Sequence, residues 1–191
     1  MQRLDLVCGK NELNPSLGYV KINKDEVGAT DGHILVIHKT SFLFGENFAD
    51  CLPGDKDIFV HYSDWKTICK SKVYSYEYKD NQILTFDKKD NLVDSVPVQY
   101  DIEYPDLHSV VPPLKDCNKT PSVLGINAEL LYNLSLGIYS SKKDGLYLDL
   151  KCSELNEDGR PNKAVRVIPI DKNSDLYNSD VIAVIMPVLN N

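Results

Sequence analysis

Apolar and polar residues alternate over short stretches of this chain, and turn-forming residues separate one stretch from the next. Residues 3–7, 18–22 and 33–38 are rich in Val, Ile, Leu and Tyr, with Asn, Lys, Asp and Gly between them, which predicts strands and hairpins over the first 40 residues. A further strand is predicted over 57–60. Over 63–70 the period lengthens: Trp65, Ile68 and Cys69 fall at i, i+3 and i+4 behind Ser63, a residue type suited to an N-cap, so a short amphipathic helix is expected. Strands return over 73–78, 82–87 and 92–99, and residues 104–121, with four of the ten prolines, read as a connector.

Beyond the connector the order repeats, with a strand over 123–126, a helix over 128–138, and strands over 146–150, 164–170 and 181–186. The helix has a defined start. Asn127 suits its N-cap, Glu129 complements the helix dipole, and Ile126 with Leu131 suits a hydrophobic staple. Its apolar stripe is Leu130, Leu131, Leu134 and Ile138. A β-α-β-β-β unit is therefore expected twice, with Val60 and Ile126, the residues before the two helices, 66 positions apart. That offset is longer than solenoid repeats and suits a duplicated supersecondary unit. The expected organisation is an α+β fold with antiparallel sheets, divided into an N-terminal subdomain (1–103), a linker (104–121) and a C-terminal subdomain (122–191).

Composition narrows the function more than the fold. With 191 residues, 42% hydrophobic and 26% charged, the chain can bury a sizeable core without metals or disulfides. No apolar run approaches the ~20 residues of a membrane span, and Met1-Gln2-Arg3 leads into an alternating segment rather than a signal core, so a cytoplasmic protein with no membrane partner is expected. The five cysteines are odd in number and widely spaced, which signals neither a zinc site nor a disulfide framework and suggests small buried hydrophobes. The net charge of −7 argues against blanketing phosphates with cations. Enzyme signatures are missing too: there is no Walker loop, no G-x-G-x-x-G, no G-x-S-x-G and no H-E-x-x-H, and His33, His38, His61 and His108 lack metal-ligand spacing. Neither catalysis nor a metal or cofactor is expected. A hydrolase would have to use Asp31 and His33, whose simpler reading is a turn before a strand.

Three segments stand out as a set: Ala29-Thr30-Asp31-Gly32-His33-Ile34-Leu35, then Tyr104-Pro105-Asp106-Leu107-His108-Ser109-Val110-Val111-Pro112, then Val184-Ile185-Met186-Pro187-Val188. In this order, around a duplicated β-α-β-β-β unit, they resemble the bacterial sliding clamp, the beta subunit of DNA polymerase III. The resemblance implies the DNA-clamp fold and one apolar peptide-binding pocket onto which all three segments converge. Thr30, Gly32, His33 and Leu35 would form one wall, Pro105 and Val110 a second, and Val184, Met186 and Pro187 the third. It further implies, as partners, DNA polymerase or other proteins carrying clamp-binding peptide motifs, then double-stranded DNA, and a homo-oligomer. The implied work is that of a processivity factor, an accessory to DNA replication or repair.

The departures from that family matter as well. Ile34 and Ser109 stand where it often has arginines, and the chain ends Val188-Leu189-Asn190-Asn191, so fewer cations are expected at the pocket mouth. Residues 9–16 leave no room for the helix expected there, and the chain is roughly half the length of a family member. The family's DNA-facing helices carry here only Lys66, Lys70 and nearby Lys72 on the first, and Glu129 with no cation before Lys142 and Lys143 on the second. The competing expectation is a clamp-derived interaction or regulatory protein that holds partners' motifs without binding DNA.

Overall fold

The computed structural model describes residues 1–54, 56–122, 124–139, 148–161, 163–169 and 181–187. Seven strands form one antiparallel sheet: β1 (Tyr19–Ile22), β2 (Glu26–Thr30), β3 (Ile34–Lys39), β4 (Ile58–His61), and three from the far end of the chain. Those three are numbered β8 (Leu148–Lys151), β9 (Val165–Pro169) and β10 (Val181–Ile185), and the spatial order is β4-β1-β2-β3-β10-β9-β8. A second sheet holds β5 (Ser75–Lys79), β6 (Gln82–Phe86) and β7 (Leu92–Pro97) in that order. The two ends of the chain meet where β10 pairs with β3, Val181 opposite His38 through Ile185 opposite Ile34. Residues on either side of the linker thus share one sheet.

Alternation along the strands assigns the two faces of the large sheet. Ile34 and Val36 of β3, with Val181, Ala183 and Ile185 of β10, point into the main core, while Leu35, Ile37 and Val184 belong to a separate small cluster on the opposite face. Helices cover the core face. They are α1 (Thr40–Phe44), α2 (Glu46–Cys51), α3 (Tyr62–Ile68) and α4 (Ala128–Ile138), which contribute Phe44, Phe48, Trp65, Ile68, Leu134 and Ile138. Gly137 lets α4 lie close, since a Cβ there would meet Val7 at 2.6 Å and Val36 at 3.2 Å.

α4 matches its expected bounds, and Asn127 caps it by accepting the Glu129 amide at 2.8 Å. Around it, Leu134 and Ile138 of the expected stripe are buried, and so is Leu136. The first β-α-β-β-β unit is present as β4-α3-β5-β6-β7. The second is present from its helix onward: residues 124–126 form no strand, and Val123, Lys142, Lys143, residues 146 and 147, and 188–191 lie outside the described residues.

Other expectations need correction. Residues 3–7 are not a strand but a 3-10 turn, Leu4–Leu6, wedged against α3 and α4. Leu4 and Val7, three apart, both enter the core, and Asp5, fully buried, is held by Arg3 through two bonds of 2.7 Å. Alternation misled because a turn with two buried anchors and an internal ion pair writes the same pattern as a strand. At α3 the cap is His61 rather than Ser63: the extended His61 ends β4, and its Nδ1 accepts the Ser63 amide at 3.4 Å. The short helices α1 and α2 were not foreseen; Gly45, at φ +89°, separates them, so neither extends long enough to show a helical period. Among the cysteines, Cys8, Cys117 and Cys152 are buried, Cys69 is half-buried and Cys51 is exposed.

Candidate functional site

The site begins with the tight turn between β2 and β3. Asp31 Oδ1 accepts the amides of His33 and Ile34 at 2.7 and 2.8 Å, Thr30 Oγ1 accepts the Gly32 amide at 3.0 Å, and the Thr30 hydroxyl donates to the Ile34 carbonyl at 2.7 Å. Gly32 adopts φ +91°, a conformation that disfavours any side chain, so the glycine is required by the turn as well as leaving its surface open. Asp31 Oδ1 thus acts as a local cap of the turn, as the simpler reading of Asp31 and His33 expects.

The connector lies over the outer face of the sheet and supplies the second wall. Leu107 is buried in the cluster of Leu35, Ile37, Ala164 and Val184. It fits because β2 has a glycine beneath it, where a Cβ at Gly28 would come within 2.4 Å of Leu107. Polar contacts pin the segment on both sides. The Tyr104 hydroxyl donates to the Tyr19 carbonyl at 3.0 Å, His108 Nε2 lies 2.6 Å from Glu26 Oε2, and Arg166 donates to the Pro112 carbonyl at 3.1 Å. Burial raises the Tyr104 pKa well above its ordinary value, so the phenol stays a donor. Asp106 starts the 3-10 turn Leu107–Val110 by accepting the His108 amide at 2.9 Å, which turns Val110 toward the solvent.

The end of β10 closes the third side. The Met186 amide donates to the His33 carbonyl at 2.7 Å, which continues the β3–β10 ladder past the strand ends. Between the three walls lies a mainly apolar cavity of about 300 Å³. Eight of the nine residues expected there line it: Thr30, Gly32, His33, Leu35, Pro105, Val110, Val184 and Met186. Pro187 is half-buried and does not line it. Val110 is 54% and Met186 40% exposed, so two large apolar side chains stand at the rim with their surfaces open to water.

Leu107, Leu17 and Asn14 also line the cavity and were missed by sequence reasoning. Leu107 had a signal, the mid-strand glycine at 28 that makes room for it. Leu17 had none in the pattern: it joins the wall because the Gly9 amide bonds both the Leu17 and Thr30 carbonyls, at 2.9 and 3.2 Å. Ile34 and Ser109, the positions of the absent arginines, line the cavity too, and no lysine or arginine among the described residues does.

The three lysines near α3 are not part of this site. Lys70 pairs with Asp94 at 2.8 Å, Lys66 lies 6.0 Å from the Tyr62 ring centroid, and Lys72 acts on Asp87 and Asp94. Asp94 is accordingly held below the usual carboxylate range, first by its bond from Lys70. No metal-binding group of three or more His, Cys, Asp or Glu occurs among the described residues, and none of the described helices is long and apolar enough to cross a membrane.

No family model matches the chain by sequence, and no curated protein does. Solved structures do match it in fold. The DNA polymerase sliding clamp of Bacillus subtilis superposes with a TM-score of 0.50 at 14% identity, over 99% of this chain and 62% of that one. The DNA polymerase III subunit beta of Pseudomonas aeruginosa does so with a TM-score of 0.51 at 13% identity, over 98% and 64%. The chain therefore spans less than two thirds of the length of either. With both sheets antiparallel and helices against one face, and with nearly the whole chain superposed, this is an α+β protein of the DNA sliding-clamp fold.

Proposed function

We propose that the cavity docks short linear motifs of partner proteins, and that the chain is a clamp-like accessory of DNA replication or repair whose work is binding rather than catalysis. One observation carries this reading: residues from three segments far apart in sequence converge on a single apolar cavity, eight of them the ones the family resemblance implies. Its volume suits one or two apolar side chains, and Met186 can adapt to different anchors. The partners on this reading are DNA polymerase or other proteins with clamp-binding motifs.

The test is a fluorescence-anisotropy titration of a labelled peptide containing Gln and a Leu-Phe anchor against the wild type and Met186→Asp. Met186 is 40% exposed, so the free protein tolerates the carboxylate, which becomes costly only when an apolar anchor covers it. Micromolar binding, worth about −8 kcal/mol, is expected for the wild type, with a loss of at least about tenfold in the variant. Equal binding to both would place the peptide elsewhere.

A second reading, an interaction or regulatory protein that holds such motifs without encircling or binding DNA, is favoured by the Lys70–Asp94 pair. Lys70, just past the end of α3, is one of the lysines that would face phosphates, and it is already matched by a carboxylate, within a chain of net charge −7.

A further inference from the structure

The apolar cavity adjoins a larger one of about 800 Å³, and both are lined by Asn14 and Pro105. Asn14 and Pro105 thus form the border that an extended segment anchored in the first would cross to reach the second. Acidic side chains flank that passage: Asp106 lines the apolar cavity and Glu103 the larger one. Both are exposed, and Asp106 uses one oxygen to accept the His108 amide. Among the described residues, no ion pair involves either carboxylate and no lysine or arginine lines either cavity. The net charge of −7 adds a long-range field of the same sign.

We infer that the segment docked here carries basic residues beside its apolar anchor, and that Asp106 and Glu103 select it on that basis. This rests on the peptide-docking reading and adds the chemistry of the partner. The apolar cavity supplies affinity for any suitable anchor and cannot tell one flanking charge from another; the two carboxylates can. Because they are exposed, their effect is a moderate, salt-screened preference that acts on association as well as on the bound state.

The experiment uses three labelled peptides with the same Leu-Phe anchor, flanked by lysines, alanines or glutamates, titrated against the full chain at low and high salt. A second protein, Glu103→Gln with Asp106→Asn, removes both charges while the side-chain amide introduced at position 106 keeps an oxygen for the His108 amide. For the wild type, the lysine-flanked peptide is expected to bind about tenfold more tightly than the glutamate-flanked one at low salt, with the ratio falling to about twofold near 1 M salt. In the double variant the low-salt ratio between the lysine- and glutamate-flanked peptides is expected to fall to about threefold or less. If the alanine-flanked peptide binds but lysine and glutamate are not distinguished, or glutamate is preferred, the inference is overturned while the docking site stands. Undiminished preference in the double variant overturns the assignment to Glu103 and Asp106. If none of the three peptides binds, the docking reading falls and this inference with it.

Discussion

Burial of His38 lowers its pKa from 6.5 to about 4, and the geometry explains why a charge is not tolerated there. Nε2 lies 2.7 Å from the Gly137 carbonyl, which can only accept, so Nε2 carries the proton of the neutral ring. Nδ1 is then the atom that would be protonated, and it is buried with no hydrogen-bond partner among the described residues. A group whose folded pKa is depressed contributes stability that is complete above its unfolded value and is lost as pH falls toward the folded one. The shift corresponds to about 3 kcal/mol, expected to disappear between pH 6.5 and about 4. Urea unfolding of the wild type and His38→Leu across that range checks this, the variant lacking that part of the pH dependence. The sequence placed His38 on a strand, but its partner lies 99 residues away, and no local pattern could have named it.

At the level of elements, the connector behaves as a fitted cover. Leu107 is its anchor, buried at 3% exposure over Gly28 and against Val184. Leu107→Ala is expected to cost about 2–4 kcal/mol in urea unfolding and to weaken binding of the Leu-Phe peptide in the anisotropy assay, because the wall carrying Pro105 and Val110 loses its seat. Unchanged peptide affinity in a folded variant would show that the wall is held by the polar contacts of Tyr104, His108 and Arg166. Elements with a long or strongly alternating pattern were legible: β1, β3, β6 and α4 fall close to where periodicity puts them. α1, α2 and the turn at Leu4–Leu6 were not, because five or six residues, or three, hold too few positions to distinguish a helical period from alternation. The site was legible in a different way. Its residues were marked by short motifs rather than by periodicity; Leu17 and Asn14, which lie outside those motifs, were missed, and so was Leu107 within one of them.

For the molecule as a whole, the question of DNA turns on charge balance. Around α3, Lys70 faces Asp94 and Lys72 lies in the field of Asp87 and Asp94, so the surface offers few uncompensated cations. On the second reading, the protein is expected to show no more retention on closed circular DNA at physiological salt than an unrelated protein of equal charge, and Lys66→Glu with Lys70→Glu should change nothing. Retention by the wild type that the double charge reversal abolishes would instead establish α3 as a DNA face, with a salt dependence reporting the phosphates engaged.

The pairing of β10 with β3 also sets an order in time. Strand 34–39 is synthesised before its neighbour at 181–185, so the centre of the large sheet is completed by a contact of very long sequence separation. Such closures are slow and leave a strand edge open until the partner arrives. A nascent chain that has not yet reached Met186 has the turn at Gly32 and the connector but no third wall. On the docking reading, such a chain cannot compete for partner motifs until the strand over 181–185 has been translated and inserted.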